Sequence, residues 1–174
     1  PWQMWCLTTE DVVYHRIRED KSAASWNAIV GDYQGVVVCD AMSTHGAAEC
    51  NKPGPTLAAC WAHVVRKFRD AEADFPEAAV ARDLIKKLYE IDAQAENRDE
   101  RARLRRGESS EVLEQLKQWL LAQTTLKTTS LGQAIRYTLG YWPRLKVFVD
   151  NPDVPLDNNR TERGIRGPVV GRKN

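Results

Sequence analysis

"GVVVCD", residues 35–40, is the stretch that decides how the rest of this chain is read. Three valines and a cysteine in unbroken succession lack the alternation of a strand with one wet face, and the run is short for a helix. A strand buried on both faces fits them. Such strands belong to α/β proteins, whose helices cover both sides of a sheet. The run ends on a carboxylate, Asp40, at the sheet edge where open α/β folds usually hold a ligand. An aspartate that ends a strand and caps the next turn is the plain alternative, and position alone favours it.

The flanking sequence supports the α/β assignment. "WQMWCLTT" (2–9) is aromatic and apolar, and "DVVYHRIR" (11–18) sets Val12, Tyr14 and Arg16 against Val13, His15 and Ile17. Glu10-Asp11 between them suits a tight turn, so a hairpin is predicted. "KSAASWNAIVGDY" (21–33) predicts a helix capped by Ser22, with Ala23, Trp26, Ile29 and Val30 on one face and Gly31 as its stop. "TLAAC" (56–60) predicts another short buried strand, and "WAHVVRKFRDAEAD" (61–74) a helix.

Composition changes near Pro76. Leu84, Ile85, Leu88 and Ile91 form one helical stripe; Val112, Leu113, Leu116, Trp119 and Leu120 form another, with Ser110 as its predicted N-cap. The densely charged "NRDERARLRRGES" (97–109) between the stripes predicts a solvated connection. A third helix, "SLGQAIRYTLGYW" (130–142), stops before Pro143, and the turn-rich "NPDVPLDNN" (151–159) follows. The expected architecture is an α/β core, residues 1–75 and 143–174, interrupted by a helical insertion over 76–142.

A length of 174 residues allows one domain with a sizeable core, or one core carrying an insertion. Hydrophobic content of 43% and charged content of 28% describe an ordinary soluble globular protein. A net charge of +1 removes any global electrostatic argument for nucleic acid, so such an argument must come from local clusters. Four scattered cysteines, Cys6, Cys39, Cys50 and Cys60, suit a reducing cytoplasm better than a disulfide scaffold. No apolar run approaches the roughly 18 residues of a membrane span, and the start has no signal-peptide pattern. The chain opens on Pro1-Trp2 in what already reads as a strand, so a piece beginning inside a domain is expected.

One local cluster does stand out. In "VPLDNNRTERGIRGPVVGRKN" (154–174), Arg160, Arg163, Arg166, Arg172 and Lys173 crowd around Glu162, with only Asp157 to offset them. Asn159 and Glu162 fit a capping box, and Glu162 with Arg166 fits an i,i+4 surface pair. Neither accounts for so many cations. On a helix, Arg160, Arg163 and Arg166 fall within about a third of the circumference, a face matched to a phosphate backbone by bidentate guanidinium forks. In "CWAHVVRKFRD" (60–70), Cys60-x-x-His63 lacks a second half at zinc spacing. His63 at a strand-to-helix junction is more often structural than catalytic, and Arg66, Lys67 and Arg69 form either a basic edge or a solvated face.

Together "VVVCDAMSTH", "CWAHVVRKF" and "PLDNNRTERGIRGPVVGRKN", in this order and broken by a helical stretch, resemble the transposases of the insertion sequence 66 family over essentially the whole chain. The resemblance implies a ribonuclease H-like fold and aspartate-aspartate-glutamate chemistry. It makes Asp40 the second catalytic aspartate and Glu162 the glutamate, both metal ligands for a two-magnesium site that manganese could also fill. Metals roughly 3.5–4 Å apart activate the attacking oxygen and stabilise the leaving one at phosphorus. The resemblance further implies DNA contacts for His63, Arg66, Lys67, Asn158, Arg160, Arg163, Arg166, Arg172 and Lys173. Transposon-end and target DNA are the implied partners, with self-association or accessory transposition proteins beside them, no membrane, and a DNA-associated place in the cytoplasm.

No residue of this chain matches the family's first aspartate, which belongs on a central strand upstream of the hairpin. Glu10 and Asp11 lie at the wrong end of that hairpin. An inactive internal piece of a transposase is therefore expected, missing the strand that pairs with the second and fourth. A non-catalytic DNA-binding remnant is one alternative. A protein-interaction module over 77–142, carrying Trp119 and Trp142, is another.

Overall fold

The computed structural model describes residues 2–40 and 54–171, and, in the closing helix, side chains as far as Arg166. The chain divides into two compact units, Pro1–Leu57 with Asp157–Asn174, and Ala58–Leu156.

In the first unit, β1 (Gln3–Thr8) and β2 (Val13–Arg18) form an antiparallel hairpin with Thr8 opposite Val13 and Gln3 opposite Arg18. The predicted turn closes through the Thr9 N–H, which donates to the Val12 carbonyl at 2.9 Å. Helix α1 (Ala23–Val30) starts as its sequence predicts, with the Ser22 hydroxyl accepting from the Ser25 N–H at 3.2 Å. Asp20 completes this cap: its carboxylate accepts from the Ser25 hydroxyl at 2.7 Å and the Ser22 N–H at 3.0 Å. Gly31 ends the helix at φ 60°, a left-handed conformation that a side chain would strain.

Strand β3 (Val36–Cys39) pairs with β4 (Thr56–Ala59), which leads into the second unit. The strands among the described residues therefore form two separate two-stranded sheets rather than one. Trp26 and Leu57 make a small core, and Trp5, Val30, Val37 and Cys39 pack against it. The expectation that β3 is buried on both faces is corrected here: all four of its residues are only half-buried. Among the described residues it has one neighbouring strand, β4, and its core contact runs through Val37 and Cys39.

The second unit is helical after β4: α2 (Trp61–Ala71), α3 (Ala78–Asp92), α4 (Arg98–Leu104), a π-helical turn (Arg105–Ser109), α5 (Ser110–Ala122), α6 (Ser130–Gly140), α7 (Trp142–Leu145) and α8 (Val147–Asp150). Helix α2 packs against α3 and α6, and α3 against α5. The predicted stripes are the contact faces, with Ile85, Leu88 and Leu116 fully buried. Trp61, 0% exposed, meets Trp142 and Phe148 edge-on at 6.2 and 6.5 Å, and its indole N–H donates to the Leu145 carbonyl at 3.0 Å.

The charged stretch 97–109 is helical rather than an irregular connection, and although most of it stays exposed or half-buried, Leu104, Arg105 and Ser109 are buried. Asn97 caps α4 by accepting from the Glu100 N–H at 2.9 Å, and the helical run continues through the π turn into α5. Ser110 is thus internal, its hydroxyl donating to the Arg105 carbonyl at 3.1 Å instead of capping. The reason lies in Arg105, which is 1% exposed. Its Nε donates to Asp92 at 2.7 Å, and its Nη1 donates to the carbonyls of Phe148, Asn151 and Val154 at 3.0, 3.0 and 2.9 Å. A buried guanidinium with this many acceptors is satisfied, and it fastens residues 148–154 to the helices.

Candidate active site and nucleic-acid interface

The motif around Glu162 forms the start of the closing helix, α9 (Asn159–Gly171). Asn159 does not act as the cap of a capping box. It is the first helical residue, and its N–H and side-chain amide donate to the Asp157 carboxylate at 3.0 and 2.7 Å. The Glu162 N–H donates to the Asn158 carbonyl at 3.1 Å, so Asn158 stands where the helix is entered. A carboxylate at this end also suits the helix dipole.

Helix α9 lies on the β1–β2 hairpin within the first unit. The hydroxyls of Thr161 and Thr8 are 2.6 Å apart, and His15 Nε2 is 3.1 Å from the Gly164 carbonyl. A Cβ on Gly164 would meet Val13 Cγ1 at 3.1 Å and Cys6 Sγ at 3.4 Å, so the absence of a side chain permits this approach. Arg160 donates to the Glu10 carbonyl at the hairpin turn. Strand alternation makes this arrangement possible. Cys6 and Thr8, with their partners His15 and Val13, face α9; Trp5, one position over, faces the core with Trp26. The two tryptophan rings are 6.3 Å apart.

Given 3.6 residues per turn, Thr161 and Gly164 share the docked side of α9, and Glu162, Arg163 and Arg166 all point away from it, with Glu162 and Arg166 one turn apart on the same face. Glu162 is half-buried, whereas Arg163 and Arg166 are exposed and make no ion pair among the described residues. Asp40, also half-buried, follows Cys39 at the end of β3. Both carboxylates belong to the first unit, linked through β3, the Trp26–Leu57 core, β1 and α9.

The other predicted site residues divide. His63, Arg66 and Lys67 lie on α2 in the second unit, the first two half-buried and Lys67 exposed. Asn158 is half-buried beside the start of α9. Arg172 and Lys173 lie outside the described residues. Among the described residues no group of three or more His, Cys, Asp or Glu side chains is placed to hold a metal. Asp40 and Glu162 offer hard carboxylate oxygens, the donor type magnesium takes alongside water and phosphate. Cys6, Cys39 and Cys60 are thiols and take no part in a disulfide. The docking residues Thr161 and Gly164 were not singled out by the sequence, although two small residues three apart on one helical face signal a close approach.

The family described as "Transposase IS66 family" matches residues 1–174. The chain belongs to that family. It is also similar, over nearly its whole length, to two proteins of Sinorhizobium fredii. "Uncharacterized protein y4jD" is 28% identical over 99% of this chain and 38% of its own length. "Uncharacterized protein y4qI" is 28% identical over 96% of this chain and 33% of its own length. The chain thus spans 33–38% of the length of these relatives. No solved structure matches it. In this IS66-family chain the described parts of the three quoted motifs fall on β3 and Asp40 after it, on Cys60 and α2, and on the turn before α9 and α9 itself. Among the described residues no helix is long and apolar enough to cross a membrane.

Proposed function

We propose that this chain supplies two metal-binding carboxylates, Asp40 and Glu162, to the catalytic domain of a DNA transposase with a ribonuclease H-like sheet. The observation that carries the proposal is the packing of β3 and α9 into one unit around a shared hairpin and core. The split sheet supports it as well. In a ribonuclease H-like sheet the first strand stands between the hairpin and the strand bearing the second aspartate, and here those two strand pairs are separate.

In this scheme Asp40 and Glu162 would hold magnesium, which would supply charge stabilisation at the phosphorus and activation of the attacking oxygen. The chain's own residues do the rest. The Thr8–Thr161 contact and the Gly164 approach fix the azimuth of α9 and therefore of Glu162. Arg163 and Arg166, exposed and turned away from the hairpin, hold phosphates and keep the strand in register, without reading its sequence. Arg160 gives part of its donor capacity to the hairpin turn and contributes less.

The test is magnesium-dependent cleavage and joining of transposon-end DNA by an active transposase carrying this segment. Asp40→Asn and Glu162→Gln are each expected to abolish cleavage and leave DNA binding intact; cleavage surviving in either variant overturns the assignment. The 174-residue chain alone, in which the family's first aspartate has no match, is expected to bind DNA without cutting it. The exposure of Arg163 and Arg166 favours a second role that needs no metal: salt-sensitive DNA binding of little sequence preference.

A further inference from the structure

Residues 148–156 carry the chain out of the last helices of the second unit to Asp157, where the first unit resumes. This segment has no regular structure after Asp150, yet it is firmly tied. Arg105 supplies the centre: Nη1 donates to the carbonyls of Phe148, Asn151 and Val154, and the guanidinium lies 5.3 Å from the centroid of the Phe148 ring. Arg98 grips Asp153 through hydrogen bonds of 2.9 and 3.0 Å, and the Asn151 carboxamide accepts from the Asp153 N–H at 3.1 Å. Pro152, Val154 and Leu156 are buried. The last tie is the N–H of Trp61, the first residue of α2, which donates to the Leu156 carbonyl at 3.0 Å. The next residue, Asp157, holds the start of α9 through Asn159, and Glu162 lies in the first turn. The clamp has a local cost. Arg105 opens a π-helical turn, and the fully buried Ser109 hydroxyl that closes it has no hydrogen-bond partner among the described residues. Such turns are rare and recur at functional sites.

We infer that Arg105 is a positioning residue for Glu162: by holding residues 148–156 it keeps the chain that enters α9 from fraying, and this gives the helical insertion a task in the reaction. The inference rests on the reading of Glu162 as a metal ligand given above. Helix ends fray, and a carboxylate in a first turn can hold a cation only while that turn is formed. The apparent affinity for the metal is the intrinsic affinity reduced by the fraction of time the turn is competent. The hairpin secures α9 from Thr161 onward through Thr8 and the close approach at Gly164. The residues before it have no strand or helix of their own, so the hydrogen bonds of Arg105 and Trp61 take that part. Arg105 is 1% exposed and touches neither substrate nor metal in this scheme; it acts through the backbone it holds.

The experiment has two arms. In the metal-free 174-residue chain, amide hydrogen exchange of Arg105→Met is expected to quicken over residues 157–162 while the β1–β2 hairpin keeps the parent's rates. In an active transposase carrying this segment, the magnesium concentration for half-maximal cleavage should rise about two- to thirtyfold in Arg105→Met, with the rate at saturating magnesium largely retained. A residue that served only the stability of the helical unit would instead lower the saturating rate, by unfolding part of the sample, and leave the magnesium midpoint and the exchange of residues 157–162 alone. Arg105→Lys keeps a cation beside Asp92 but lacks the fork, so it should fall between the parent and Arg105→Met. If the methionine variant does not fold, the lysine variant carries the test. An unchanged magnesium midpoint, or parent-like exchange over residues 157–162, would overturn the inference; cleavage still abolished in Glu162→Gln would then leave the transposase reading standing. Cleavage surviving in Glu162→Gln would remove both.

Discussion

The two units of this chain are built by opposite means. In Ala58–Leu156 the helices bury their own faces: Trp61, Val64, Phe68, Ile85, Leu88 and Leu116 are all at 0% exposure. Among the described residues of the first unit the buried apolar ones are Trp26 and Leu57, while Tyr14 and Ile17 of β2 stay exposed. The helical unit is held by transfer of apolar surface from water. The first unit depends on ladder hydrogen bonds, caps and a helix laid across a hairpin. Its carboxylates and arginines therefore sit where the chain has the least core of its own. The roles proposed for these residues need access from solvent, and a half-buried sheet provides that at a cost in stability.

The largest effect that could break this contrast is expected from Trp61→Ala. Losing the ring and its contacts with Trp142 and Phe148 should cost about 3–5 kcal/mol and be read in the denaturation midpoint of the helical circular dichroism signal. Trp26→Ala should leave that signal's midpoint near its original value. Equal shifts in both variants would mean that the two units unfold as one.

Arg105→Met should cost about 3 kcal/mol in the same denaturation experiment, because Asp92 loses its buried partner and three carbonyls lose their donor. Limited proteolysis should then cut within residues 148–156, and Arg105→Lys should only partly restore resistance, since an ammonium cannot reproduce the fork. A cut pattern like the parent's would show that other contacts hold this segment.

A smaller change, about 1–3 kcal/mol for overpacking, is expected from Gly164→Val, whose branched side chain would collide with Val13 and Cys6. Hydrogen exchange should quicken in α9 and β1 and stay unchanged in the helical unit.

The smallest effect concerns pH. The Ser25 hydroxyl, and then Ser22, hold the Asp20 carboxylate down to about 2. A carboxylate depressed in the folded state stabilises above its unfolded pKa of about 3.9, and that contribution is lost as pH falls through about 2. The difference in stability between the parent and Asp20→Asn should therefore be constant near neutrality, shrink below pH 4 and vanish near pH 2. A difference that persists at pH 2 would assign it to some other contact.

Local signals were largely legible in the sequence. The hairpin, the Ser22 cap, the Gly31 stop and the two aliphatic stripes follow from period and cap chemistry, and the structure forms them at those positions. Residues 97–109 were misjudged because charge density reports an average; it cannot show that one buried guanidinium, Arg105, finds four acceptors contributed by other parts of the chain. The capping box failed for a related reason. Asp157, two residues before Asn159, competes for the same N–H and wins with a charged acceptor. For the candidate site, residue types and motif order were readable, and so was the family. The docking of α9 on the hairpin was not, since it depends on which strand face Cys6, Thr8, Val13 and His15 present.

The central claim, that Asp40 and Glu162 share a divalent cation, is most directly tested by titrating the isotopically labelled chain with manganese and following paramagnetic broadening of its amide resonances. The account predicts that signals of Asp40 and Glu162 broaden together at the same manganese concentration, and that Asp40→Asn and Glu162→Gln each abolish both effects. Broadening at only one of the two positions, or at each independently of the other carboxylate, would contradict it.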